Sequence, residues 1–270
     1  MKPAPFLYER PETVEEAVAL LREHGDEAKL LAGGQSLVPL LNLRLSRPTV
    51  VIDINRVAGL DRRDGRRIGA TVRQRGLAGI PLVELALPYV GHYVTRNRGT
   101  VGGSIAHADA SAELPLCLLV LGGSVHTSSA RELPADAFFV THFTTALEPD
   151  ELLLETAWPD GGAVGFSEFA LRHGDFALAA CACSLELREG TITGARVGVG
   201  AVVDRPTLLE LDLVGAPATA ATAREAGARA TTLVDPFGDQ HVTPAYLRSL
   251  TGVVVERALL QAIEPFEAAA

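Results

Sequence analysis

Two short glycine-bearing stretches constrain this chain most: Ala32-Gly33-Gly34-Gln35-Ser36-Leu37 and Gly99-Thr100-Val101-Gly102-Gly103-Ser104. Each sets paired glycines beside a hydroxyl residue. Glycine has no Cβ, so a turn built on it lets backbone N–H groups approach a ligand that a side chain would hold away. Successive N–H groups in such a turn form a concavity suited to a phosphate or pyrophosphate. Two such turns imply two phosphates, although each could also be an ordinary bend in a chain that holds 26 glycines.

The flanks sharpen this reading. Lys29-Leu30-Leu31-Ala32 is an apolar run, so the first turn sits where a strand ends, a common place for a ligand loop. A Rossmann dinucleotide site would need G-x-G-x-x-G opening a long helix, with an acidic residue about 20 positions later. Here Gln35-Ser36-Leu37-Val38-Pro39 follows the first glycine pair, and Pro39 disfavours an unbroken helix. The expectation is a cofactor held by two loops rather than by one loop and a helix dipole.

Three segments in order then carry a resemblance. LLAGGQSLVPLLNLRL (Leu30 to Leu45), RNRGTVGGSIAHADASAELP (Arg96 to Pro115) and Arg172-His173-Gly174-Asp175-Phe176-Ala177-Leu178-Ala179 resemble the FAD-binding medium subunit of molybdenum-containing hydroxylases. That group includes aerobic carbon monoxide dehydrogenase and the bacterial xanthine, nicotine and quinoline dehydrogenases. The resemblance covers nearly the whole chain. It implies an α+β fold, with a two-lobed FAD-binding domain of the vanillyl-alcohol-oxidase/PCMH type over 1–160, its lobes meeting near 55. A C-terminal sheet-plus-helices domain over 161–270 would follow.

The resemblance also implies FAD, its pyrophosphate lying across both glycine stretches. Carried over residue by residue, Ala32, Gly33, Gly34, Gln35, Ser36 and Leu37 line the pyrophosphate and ribityl chain. Thr100, Gly102, Gly103 and Ser104 form the other half of that cradle. Asp109 bonds a ribose or ribityl hydroxyl, Asp175 and Phe176 lie near the flavin ring, and His107 is either a flavin contact or a packed histidine. Taken without the resemblance, Phe176 reads as the start of an apolar core strand, and Asp109 and Glu113 as acids at a helix N-terminus. Arg96 and Arg98 read as a solvated pair or as counter-charges for phosphate. The chain departs from the family at Gln35, where His is frequent, at Ala110, where Pro is frequent, and at Glu168, where some relatives have Lys.

Function follows from the same source. The resemblance implies a complex in which a large molybdopterin subunit oxidises substrate and a small 2Fe–2S subunit relays electrons. This chain would carry them on FAD to a small-molecule external acceptor. The alternative is an autonomous FAD-dependent oxidoreductase or cyclase whose cradle faces a small metabolite directly. A third reading is a binding module that has lost flavin. No serine sits in a G-x-S-x-G setting, and His92, His107 and His126 lack metal-ligand spacing, so no metal site is expected.

At 270 residues and 47% apolar, the chain can build a substantial core. A net charge of −9 argues against a nucleic-acid or anionic-membrane surface. No apolar run is long enough to span a bilayer and no signal-peptide core opens the sequence, so cytoplasm is the expected location. Cys117, Cys181 and Cys183 suit neither a disulfide framework nor an iron–sulfur or zinc site. Cys181 and Cys183 would share one face of a strand.

Local patterns predict a first helix capped by Thr13 and Glu16 and stopped at Gly25. Strands are expected at 29–32, 49–54, 67–72, 124–127 and 152–158. Helices are expected at 81–87, 113–121, 207–211, 218–230 and 243–263, and the resemblance adds a short one over 37–43. Asp160-Gly161-Gly162 reads as a boundary. Beyond it, 176–187 and 191–203 read as a hairpin turning at Glu189-Gly190.

Overall fold

In the computed structural model, which describes residues 2–267, the chain builds three main sheets in succession. The first unit comprises β1 (Leu7–Glu9), α1 (Val14–His24), β2 (Ala28–Leu31), α2 (Leu37–Asn42) and β3 (Val50–Asp53). The middle strand is β3, parallel to both neighbours, with Leu7 and Ala28 each opposite Val50. All four of its residues are buried, the apolar Val50, Val51 and Ile52 as a strand flanked on both sides requires and Asp53 at its end. The expected capping box opens α1: Thr13 Oγ1 accepts the Glu16 N–H at 3.2 Å, and the Glu16 carboxylate accepts the Thr13 N–H at 3.3 Å.

The second unit is antiparallel. It runs through β4 (Arg63–Asp64), β5 (Arg67–Gly69), α3 (Pro81–Ala86), α4 (Tyr93–Arg98), α5 (Val101–His107), α6 (Glu113–Val120), β6 (Ser124–Thr127), β7 (Glu132–Pro134), α7 (Ala135–Phe138), β8 (Phe139–Thr141), β9 (Thr144–Thr145) and β10 (Leu153–Ala157). Strand order is β4-β5-β10-β6-β7, with β8 and β9 forming a separate small ribbon. Every residue of α6 is buried. An all-round apolar helix belongs in a core, and α6 packs against α3 and α5 on one side and the next sheet on the other.

That third sheet is β11 (Ala163–Phe169), β12 (Ala179–Arg188), β13 (Thr191–Gly200) and β14 (Thr207–Leu208), covered by α8 (Ala220–Leu233) and α9 (Pro244–Glu267). The hairpin of β12 and β13 turns where the sequence indicates. Glu189 and Gly190 both have positive φ, 51° and 74°, the conformation a two-residue hairpin turn requires. The thiols of Cys181 and Cys183 are buried, and both residues belong to the same apolar cluster beneath α9.

Three local expectations change. Residues 207–211 are not helical: Thr207 and Leu208 extend along the open edge of β13, and the Leu209 N–H donates to Val197 O at 2.8 Å. A five-residue segment carries too little periodicity to separate helix from strand. Phe176 does not begin a strand, because β12 starts at Ala179 and Phe176 sits in the preceding turn, 78% exposed. The second glycine stretch is a helix start rather than a loop, with Thr100 as N-cap and α5 beginning at Val101. No helix among the described residues is long and apolar enough to cross a membrane.

Candidate functional site

The strand β2 ends at the first glycine stretch, and the chain then turns into α2. Gly34 has a φ of 73°, in the left-handed region where glycine carries no Cβ penalty. Its carbonyl accepts the Val38 N–H at 3.0 Å and closes the bend. No group of the described residues accepts from the backbone N–H groups of Gly34, Gln35, Ser36 and Leu37. Four consecutive free donors in one bend form an anion-binding concavity. The Gln35 amide folds back, its Nε2 donating to Gly33 O at 3.1 Å.

Gly33 is required by a neighbouring backbone. A Cβ there would lie 2.7 Å from Arg98 O and 2.9 Å from Gly99 Cα. The two stretches, distant in sequence, therefore touch backbone to backbone.

The second stretch works differently from the first. Thr100 Oγ1 accepts the Gly103 N–H at 3.1 Å, and Thr100 O accepts that of Ser104 at 3.2 Å. The Gly102 N–H donates to Ala70 O at 2.9 Å, and a Cβ on Gly102 would lie 2.6 Å from Ala70 Cα. These donors are committed to the fold. The second stretch thus offers a thin wall and the Thr100 and Ser104 hydroxyls, while the first supplies the free N–H groups.

Between them opens a cleft of about 740 Å³, lined by Ala32, Gly33, Gly34, Gln35, Ser36, Leu37, Thr100, Gly102, Gly103, Ser104, His107, Asp109, Asp175 and Phe176, whereas Arg96 and Arg98 do not line it. Asp109 is buried, and its Oδ1 accepts the Ser111 N–H at 2.9 Å. Burial lowers the pKa of His107 from the ordinary 6.5, outweighing the charge of Asp109. Its ring lies 4.8 Å from that of Phe143. Asp175 and Phe176 form the exposed rim contributed by the third sheet.

Several lining residues carried no motif. Val90, Gly91 and Phe143 border the cleft, and so does Glu113, which the sequence offered only as an acid at a helix N-terminus. Glu113 opens α6 from a buried position, and burial pushes its carboxyl up to about 7. Glu168 on β11 is pushed to about 8, by burial first and then by the charge of Glu113, and its Oε2 is buried without a partner. Arg96 does not line the cleft; its Nη1 donates to the carbonyls of two residues that do, Val90 O at 2.9 Å and Gly91 O at 3.1 Å. Nothing but its position beside the second stretch distinguished Arg96 in the sequence.

The cleft volume falls within the range of roughly 300–1,000 Å³ usual for small-molecule sites. A run of free N–H donors at one wall and a longer, partly apolar trough fit an elongated ligand with an anionic middle. A nucleotide diphosphate such as FAD has that shape and charge.

Comparison with known proteins agrees. Residues 4–160 match the family described as FAD binding domain in molybdopterin dehydrogenase, and residues 165–262 match the CO dehydrogenase flavoprotein C-terminal domain. The chain is 38% identical to the 6-hydroxypseudooxynicotine dehydrogenase complex subunit alpha of Paenarthrobacter nicotinovorans, covering 97% of this chain and 96% of that protein. It is 33% identical to the carbon monoxide dehydrogenase medium chain of Hydrogenophaga pseudoflava, over 96% and 97% of the two chains. A chain in the structure of quinoline 2-oxidoreductase from Pseudomonas putida 86 superposes with a TM-score of 0.92 at 33% identity, covering 98% of this chain and 99% of that one.

Proposed function

This chain belongs to the family of FAD-binding medium subunits of molybdenum hydroxylases, and from that premise we propose that it passes electrons from a small 2Fe–2S partner to an external small-molecule acceptor. It is an oxidoreductase subunit whose cofactor is FAD. The substrate would be oxidised on a large molybdopterin partner. Relatives named as a medium chain and as a subunit of a dehydrogenase complex support that assembly. We place the complex in the cytoplasm; Cys117, Cys181 and Cys183 are buried and unpaired, so the fold asks for no disulfide.

When bound, FAD supplies a redox centre that works at both one-electron and two-electron levels. The protein holds and shields it. The Gly34 to Leu37 donors would take one side of the diphosphate, and the hydroxyls of Thr100 and Ser104 would face the other. Asp109 keeps Oδ2 for a ribose or ribityl hydroxyl, since only Oδ1 is committed to Ser111. Phe176 stands at the rim, where it would cover one face of the ring.

The observation that carries this reading is the bend of free N–H groups pressed against Gly99 and Thr100 across a single cleft. Gly34→Val, which forces a branched side chain into a left-handed position, is expected to abolish flavin binding with little change in circular dichroism. Normal flavin content in that variant would overturn the placement. For the electron route, the reduced iron–sulfur partner should reduce the bound FAD in a rapid-mixing experiment. Reduction no faster with that partner than without it would end the proposal.

A further inference from the structure

We infer that Asn55 and Arg73, outside both glycine stretches, form a brace that fixes the spacing of the two bends and so sets the affinity of the cleft for a dinucleotide diphosphate. The inference rests on reading the cleft as the FAD site. The chain of bonds begins at the end of β3, where Asp53 Oδ1 accepts from Asn55 N at 2.9 Å and from Asn55 Nδ2 at 2.6 Å. Asn55 Nδ2 also donates to Ala32 O at 2.8 Å, immediately before the first bend. Asn55 Oδ1 accepts from Arg73 Nη2 at 2.7 Å, and Arg73 Nη1 donates to Arg98 O at 2.6 Å, immediately before Gly99.

This arrangement determines the orientation of the amide. With Ala32 O and Asp53 Oδ1 on one side and a guanidinium on the other, a flipped Asn55 would set oxygen against oxygen and donor against donor. The guanidinium is equally specific, because two separate N–H groups in a rigid fork serve two acceptors at once. The carbonyl that Arg73 grips, Arg98 O, is also the atom that lies closest to Gly33, where a Cβ would stand 2.7 Å away. The brace therefore closes the contact between the bends from behind. Neither side chain lines the cleft. They are positioning residues, acting through Ala32 O and Arg98 O.

The test uses the full-length chain stripped of flavin and re-titrated with FAD, following fluorescence quenching, for Arg73→Ala, Arg73→Lys, Asn55→Ala, the double variant and Gly34→Val. Arg73→Ala should weaken FAD binding about 10- to 100-fold, the range expected for losing a charge-assisted bond that holds a site in register. Arg73→Lys keeps one of the two bonds and should fall between Arg73→Ala and wild type. The double variant should bind no worse than the weaker single variant, because both substitutions break one chain of bonds.

A general loss of stability would instead lower the melting temperature of the flavin-free protein without that ordering or that non-additivity. FAD affinity unchanged in Arg73→Ala and Arg73→Lys, or single effects that multiply in the double variant, would overturn the brace. Should Arg73→Ala fail to fold, Arg73→Lys and Asn55→Ala decide. Loss of flavin in Gly34→Val with wild-type affinity in the Arg73 variants would remove the brace alone. Flavin retained in Gly34→Val would remove the cleft reading and the brace with it.

Discussion

Gly33, Gly34 and Gly102 are glycines for different physical reasons, and their substitutions should separate accordingly. Gly33 makes room for the Arg98 carbonyl, Gly34 supplies a left-handed φ, and Gly102 lets α5 sit on Ala70. A methyl on Gly102 meets backbone that cannot yield, so Gly102→Ala should destabilise the flavin-free protein by about 1–3 kcal/mol, the usual cost of overpacking. Thermal unfolding measures it, and an unchanged midpoint would contradict the close approach.

The buried acids make a second residue-level prediction. Burial raises Glu113 to about 7 and Glu168 to about 8 from the ordinary 4.5, so the folded protein holds these protons more tightly than the unfolded chain. Their contribution is full below the unfolded value and is lost as pH rises through 7 to 8. Glu151 runs the other way. Burial alone would raise it, but Arg131, Ser129 and Thr127 overcome that and hold it at about 2, so its contribution is lost only as pH falls from 4.5 toward 2. Glu113→Gln should therefore raise the melting temperature of the flavin-free protein at pH 8 and not at pH 4.5. Parallel pH profiles for variant and wild type would refute this.

Among elements, those with local signals were legible and those made by distant pairing were not. The Thr13 capping box, the Glu189-Gly190 turn and the apolar run of α6 each declare themselves within a few residues. The short strands β1 and β14 do not, because they exist only through hydrogen bonds to β3 and β13. In α5 the sequence misleads, since two glycines in the first turn weaken helix propensity by about 1 kcal/mol each. Tertiary context restores it: Val101 and Gly102 donate to Val72 O and Ala70 O, and Thr100 caps. The candidate site residues were legible as three segments, two of them the glycine stretches. Their contact was not, and neither was the Asn55–Arg73 brace, because single polar residues in loops carry no pattern. Removing the cap isolates its share. Thr100→Val keeps the shape but leaves the Gly103 N–H without its acceptor, and should cost about 1 kcal/mol. Faster amide exchange at Gly103 should accompany it, and Thr100→Ser should restore both.

At the scale of the whole molecule, the cleft draws on all three sheets: the bend after β2, the start of α5 over the second sheet, and the turn before β12 that carries Asp175 and Phe176. What seats the third sheet is therefore part of the site. Arg196 on β13 donates from Nε to Val120 O at 2.8 Å and from Nη2 to Leu119 O at 2.7 Å, satisfying the last carbonyls of α6. Near the start of that helix, the Ala201 N–H donates to Ala110 O at 2.7 Å. Arg196→Met keeps the aliphatic stem and strips both bonds from the C-terminal end of α6; Leu119 O keeps the Gly122 N–H at 3.0 Å but Val120 O is left unmatched, at a cost of about 1–3 kcal/mol. The diphosphate bend after β2 lies in the first sheet and is untouched. The variant should consequently bind ADP as the wild type does, while FAD binds more weakly and its fluorescence is less quenched, because the rim residue Phe176 is no longer held in place. Equal losses of ADP and FAD affinity would show that the third sheet supports the whole cleft rather than its ring end.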